Sequence, residues 1–222
     1  MRRLGIDAMG GDYAPRVVVE GALLSLQYID SDTRLVLFGD EGLIRQVMSE
    51  KGAPADAFDI VHTTGFTGMA DHPAKAYNQK ADSSIRVGYK YLQEHKIDGF
   101  ARAGATGAML VGAMYSVQTV RGVIRPAISA LISTIDGGCF LLLDVGLNVD
   151  CKPAVLEQYG LLGSAYAETV LGKANPRVAP RNIGEEKEKG NIAPQPPHEL
   201  MAETGNNNLA GNIKATQTIT GD

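Results

Sequence analysis

Tryptophan is absent from these 222 residues, cysteine occurs only twice, and no apolar run approaches the length of a membrane span. Cys139 and Cys151 are too few for the disulfide scaffold of a small secreted domain, and they lack the paired spacing of a zinc site. The four histidines, at 62, 72, 95 and 198, are scattered without ligand spacing, so no metal is expected. Positive charge is not in excess either: the formal net charge is -4, which supplies no basic field for DNA or RNA and excludes nucleic acid as the first choice of partner. The opening MRRLGIDAMGGD reaches Asp7 too soon to hold the apolar core of a secretory signal. A reduced, cytoplasmic setting is therefore expected, with any membrane contact peripheral. What is present is ordinary globular material, 44% hydrophobic and 21% charged, enough to bury a substantial core.

Strand and helix patterns alternate along the chain. Arg3 to Ala8 is short and apolar, and a Gly-Gly turn separates it from Pro15 to Ile29, where Val18, Val19, Ala22, Leu23 and Leu26 recur at helical spacing. Arg34 to Phe38 and Phe58 to His62 are strand-like, while Glu41 to Lys51 and Ser83 to His95 are helical. Gly99 to Ala101 is a further strand, Thr106 to Val117 a small-residue helix, and the apolar run Cys139 to Val145 a central strand. Pro153 opens a helix to about Val170. This alternation predicts an α/β fold, a mainly parallel central sheet flanked by helices. Pro180 and Arg181 interrupt the next strand, and from Gly184 the chain turns polar, with EEKEK, three prolines and a short helix from His198 to Thr204. The expected organisation is one domain over 1–183 and a polar, partly disordered segment over 184–222.

Five segments carry residues suited to chemistry. In IDAMGGDYAP, Asp7 ends a strand, and Gly10 and Gly11 permit a turn that can present backbone N–H groups to an anion. The glycines could equally serve the turn alone, with Asp12 capping the helix. DHPAKAYNQKADSS is a long connection with His72, Lys75 and Lys80, ending at Ser83, which suits a phosphate or an acidic partner or else a solvated loop with Ser83 as helix cap. AGATGA places Gly104, Thr106 and Gly107 at a helix start, where an anion or merely a close-packed neighbour would fit. LLLDVGLNVDCKP delivers Asp144 and Asn148 at the C-terminal end of a strand, with Asp150 positioned to cap the helix that follows. NIGEEKEKGN carries Asn182, Lys189, Gly190 and Asn191, an anion loop or a solvated charge run.

In order and spacing, IDAMGGDYAP, DHPAKA followed by KADSSIRVG, the AGxTGA turn, LLLDVGLNVDCKP and NIGEEKEKGN resemble the successive signatures of the acyl-acyl carrier protein:phosphate acyltransferase (PlsX) family, over residues 1 to about 191. The resemblance implies a fold similar to the isocitrate dehydrogenase and phosphate acetyltransferase group. It also implies a homodimer and acyl transfer from acylated acyl carrier protein to inorganic phosphate, at the head of phospholipid synthesis. No cofactor is implied. Phosphate is already anionic, so positioning and charge stabilisation are expected to dominate, and no G-x-S-x-G nucleophile elbow occurs. On that basis the two glycine turns and Lys189 hold phosphate, Asn148, Asn182 or Lys75 polarises the carbonyl, and His72 protonates the departing thiolate. Acyl-coenzyme A as donor, or a non-catalytic phosphate-binding paralogue, are the alternatives. Several positions depart from the family. Ala105 stands where a polar side chain is usual, Arg102 where a small residue is usual, GFTGM replaces an acidic and apolar stretch, and Pro180-Arg181 replaces an apolar pair. The chain also stops at Asp222, short of a DGFTGN-like motif, so a truncated or divergent member with weak turnover is the expectation.

Overall fold

The computed structural model describes residues 1–68, 71–148, 150–181, 201, 208–211 and 213. These fall into two compact units, Met1–Thr119 and Val120–Asp222. The division thus lies inside the stretch 1–183 that the sequence reading treats as one domain.

The first unit is built on four strands, β1 (Arg2–Asp7), β2 (Thr33–Gly39), β3 (Asp59–His62) and β4 (Gly99–Ala101), in the order β3-β2-β1-β4 with every pairing parallel. The sequence of β2 shows why this sheet needs cover on both sides. Leu35 and Leu37 point to one face and Val36 and Phe38 to the other, and all four are buried. Helices α1 (Arg16–Ser25) and α2 (Glu41–Glu50) bring Val19, Ala22, Ile44, Val47 and Met48 onto the Leu35/Leu37 face. Helix α4 (Ser84–Gln93) brings Val87, Tyr91 and Leu92 onto the face of Val36 and Phe38. Phe38, Tyr91 and Phe100 meet edge to face there, an arrangement favoured by the ring quadrupoles.

Outside this layer lies α5 (Thr106–Ser116), whose small residues let it approach α4 closely. A Cβ at Gly112 would stand 2.3 Å from the Tyr89 ring, and the Tyr89 hydroxyl donates to the Met109 carbonyl at 2.7 Å. Between β3 and α4 the sequence pattern suggests only a long connection, but Pro73–Gln79 forms helix α3. Proline at its first position and the buried Ala76 explain that turn of helix, which is held to α5 by the stacked Tyr77–Tyr115 pair and a 2.6 Å hydrogen bond between Tyr77 and Ser116.

In the second unit the apolar run Cys139 to Leu143 is a strand, β6, but among the described residues it is not the central strand of a parallel sheet. It pairs antiparallel with β5 (Ser129–Ser133), and all five of its residues are only half-buried. The overlooked signals were the alternation of Ser129, Ala130, Leu131, Ile132 and Ser133 and the turn sequence Asp136-Gly137-Gly138, where Gly137 takes φ 84° and Thr134 accepts and donates across the turn. Helix α6 (Pro153–Thr169) follows, packed on β6, with Gly163 set against Leu143. The interrupted strand near Pro180 is short, β7 (Arg177–Val178), paired parallel with β8 (Asn208–Leu209). Pro180 still contributes through its carbonyl, which accepts from Ile213 N–H at 3.2 Å.

Two expected helix caps are corrected. Asp12 does not cap α1, whose preceding residue is Pro15 and which has no side-chain cap, and Asp150 does not cap α6, which starts after Lys152, also without one. In α6 proline at the first helical position presets the first turn and removes one orphan N–H, whereas in α1 the N-cap position is held by Pro15, which has no side-chain acceptor to offer. The expected helix from His198 to Thr204 lies almost wholly outside the described residues.

Candidate functional site

The sheet order reverses beside β1: the chain moves outward from β1 to β2 and β3, then returns to place β4 on the other side of β1. In open α/β sheets such a switch point leaves a crevice outside the C-terminal ends of the two central strands. The turn after β1 carries Gly10 and Gly11, and the turn after β4 carries Gly104, Thr106 and Gly107. They are neighbours. A Cβ at Gly10 would lie 3.0 Å from the Ala103 carbonyl oxygen, and one at Gly11 would lie 3.4 Å from the Ala103 methyl. Gly11 and Gly104 hold φ of 101° and 81°, a region open to glycine at little cost. Gly104 and Thr106 are exposed, and at the start of α5 the Ala108 N–H donates to the Ala105 carbonyl at 2.9 Å.

Beneath the turns lies a buried ion pair that sequence reasoning missed. Asp7 is fully buried, and its carboxylate accepts from the guanidinium of Arg102, whose side chain is 1% exposed. Arg102 also donates to the Thr67 carbonyl at 2.5 Å, so one side chain ties the ends of β1 and β4 to the segment after β3. Asp7 is further held by Met9 N–H at 2.9 Å, and Gly10 N–H turns back to the Asp7 carbonyl at 3.4 Å. Two N–H groups of the first turn are therefore spent on Asp7. The only signal in the sequence was the presence of an arginine in a run of small residues.

The connection through α3 is occupied differently. His72 and Lys75 are exposed. Lys80 pairs with Asp71 at 2.6 Å and donates to the Phe66 carbonyl, and this ammonium, with the Gly68 N–H, holds the Asp71 carboxyl below its ordinary value. Ser83 is buried and accepts from Arg86 N–H at 3.4 Å as the cap of α4.

In the second unit Asp144 and Asn148 form a closed knot. The Asp144 carboxylate accepts N–H groups from Ile128 (2.8 Å), Leu147 (2.9 Å) and Asn148 (2.5 Å). Burial pushes this carboxyl up, but the donors from Ile128, Asn148 and Leu147 outweigh it and leave the group below its ordinary value. The Asn148 amide nitrogen is spent on the Pro126 carbonyl at 3.1 Å, the Asp144 carboxylate at 3.3 Å and the Tyr159 hydroxyl at 2.9 Å. Cys151 lies alongside with its thiol pushed up by burial, and the Tyr159 hydroxyl is pushed up to about 12 for the same reason. Asn182, Lys189, Gly190 and Asn191 lie outside the described residues. Among the described residues no three His, Cys, Asp or Glu side chains gather as metal ligands, and no helix is long and apolar enough to cross a membrane.

A parallel sheet with glycine turns at its switch point defines an α/β protein of the phosphotransacetylase-like fold. Two solved structures share it, a phosphotransacetylase from Streptococcus pyogenes (TM-score 0.67, 13% identity, 96% of this chain and 68% of that one) and EutD phosphotransacetylase from Staphylococcus aureus (TM-score 0.65, 16% identity, the same shares). The chain itself belongs to the family described as fatty acid synthesis protein, whose model matches residues 2–222. Relatives named phosphate acyltransferase are 42% identical in Caldicellulosiruptor bescii, over 96% of this chain and 63% of that one, and 35% identical in Bacillus subtilis, over 98% and 64%. The chain thus spans under two thirds of the length of these curated relatives.

Proposed function

We propose that this chain belongs to an enzyme that transfers an acyl group from a thioester to inorganic phosphate, with acyl carrier protein as the carrier. The observation that carries this reading is the pair of glycine turns, Gly10-Gly11 and Gly104 to Gly107, placed side by side at the switch point of a chain whose relatives are named phosphate acyltransferase. In this reading phosphate rests against the Gly104–Gly107 turn and the N-terminus of α5, where the helix dipole favours an anion. A phosphate oxygen attacks the thioester carbonyl, the carbon–sulfur bond breaks, and the departing thiolate takes a proton, for which exposed His72 is the candidate donor. With the Asn148 amide nitrogen committed to internal acceptors, carbonyl polarisation falls to Lys75 or Asn182, and Lys189 is kept for holding phosphate. Homodimeric assembly, a cytoplasmic setting and peripheral membrane contact rest on the family resemblance.

The test mixes the protein with thioesters and phosphate and traps acyl phosphate with hydroxylamine. Hydroxamate from long-chain acyl carrier protein substrates supports the proposal. Product only from short acyl-coenzyme A would assign the carrier instead to the coenzyme. Phosphate binding without product from either would leave a non-catalytic phosphate-binding protein.

A further inference from the structure

We infer that Arg102 is a positioning residue of the phosphate site, which neutralises Asp7 so that a dianion can approach the Gly104–Gly107 turn. This rests on the phosphate reading above and adds a residue and an electrostatic role to it. Asp7 stands at the C-terminal end of β1, directly beneath the crevice, and is fully buried. Phosphate arriving beside an uncompensated carboxylate would meet repulsion that the low-dielectric interior strengthens. Arg102 removes it, because its guanidinium is the one cation paired with Asp7 among the described residues.

Two further observations connect the arginine to the crevice rather than to the core alone. The Arg102 Nε is buried and has no hydrogen-bond partner, unlike its two terminal nitrogens, which are taken by Asp7 and the Thr67 carbonyl. Such an orphan donor is costly unless something accepts from it. It also lies 3.2 Å from where a Cβ on Gly10 would stand, and Arg102 Cγ lies 2.6 Å from the same point. The absent side chain of Gly10 is thus what lets the guanidinium stem lie against the first turn. Arg102 immediately precedes Ala103 and the second turn, so its placement sets both turns at once. Arginine suits this role better than lysine, since its fork reaches Asp7 and Thr67 together and still leaves Nε beside the first turn.

The experiment reads phosphate binding to the folded chain by calorimetry, with sulfate at matched ionic strength as control, in Asp7→Asn, Arg102→Met and the double variant. Asp7→Asn keeps the cation and removes the anion, so it should tighten phosphate by about 3- to 10-fold, the scale of one nearby charge at partly screened distance. Arg102→Met, with native circular dichroism, should weaken phosphate by about tenfold or more. The double variant should return to within about 3-fold of the original, since the offending carboxylate is gone too. Unchanged phosphate affinity in Asp7→Asn overturns the inference even if Arg102→Met does not fold. A double variant as weak as Arg102→Met also overturns it, because neutralisation would then not be what the arginine supplies. Because binding is measured rather than turnover, a protein that shows this pattern yet yields no hydroxamate would overturn the acyl-transfer reading while supporting the role of Arg102.

Discussion

Asp7 is the last residue of a strand and Asp144 directly follows one, and both are drawn out of solvent, but their charges are met by different means. Asp7 is fully buried and faces a guanidinium that is itself buried, with one backbone N–H in support. Asp144 is half-buried and is satisfied by three backbone N–H groups and the Asn148 amide, with no cation bonded to it among the described residues. An ion pair concentrates the compensation in one side chain, so its loss leaves a bare charge in the interior. A ring of peptide dipoles spreads it over the chain, and no single side chain can remove it. The first arrangement makes one residue critical; the second ties a loop together.

Substitution tests that contrast directly. Arg102→Met should cost about 3–5 kcal/mol of folding stability, the usual penalty for orphaning a buried charge, whereas Arg102→Met with Asp7→Asn should recover most of it. Chemical denaturation of the two variants measures the difference, and equal losses in both would show that the arginine acts by packing. Asp144→Asn should cost less, about 1–2 kcal/mol near neutral pH, because the neutral amide keeps an acceptor for some of the same N–H groups.

Acid sharpens the second half of the comparison. The Asp144 carboxyl is held below its ordinary value in the folded chain, so the stability it adds is present above the unfolded value, near pH 4, and disappears as the pH falls through the folded value. The stability gap between the natural chain and Asp144→Asn should therefore narrow below about pH 4. A gap that stays constant down to pH 2 would contradict the assigned direction.

Two smaller effects bracket the contrast. Ala105 holds φ 49° and ψ 52°, a left-handed conformation that strains any side chain with a Cβ. Ala105→Gly should thus stabilise the chain by about 1 kcal/mol, and Ala105→Asn by less, visible as a rise in Tm. An asparagine at this position would thus serve the backbone, whatever it does for a substrate. Arg2 pairs with Asp30 across exposed surface, side chains 59% and 78% exposed, so Arg2→Ala should leave the Tm unmoved within error. A measurable loss there would mean that burial is not what separates the strong ion pair from the weak ones.

The sequence by itself determined the parallel half of the protein. Continuous apolar stretches such as Leu35 to Phe38, alternating with helical stripes such as Ile44, Val47 and Met48, can be buried only in a sheet covered on both faces, and that pattern is local. The turn motifs were readable for the same reason, since glycine and proline constrain the backbone where they stand. The hairpin of β5 and β6 was not, because an apolar run of five residues has the same appearance in a central strand and in a half-buried pair. Nor could spacing reveal that Asp7 and Arg102, 95 residues apart, share one buried pair. That contact exists only because β1 and β4 lie side by side at the reversal of the sheet, and strand order is a property of the folded chain rather than of any segment of it.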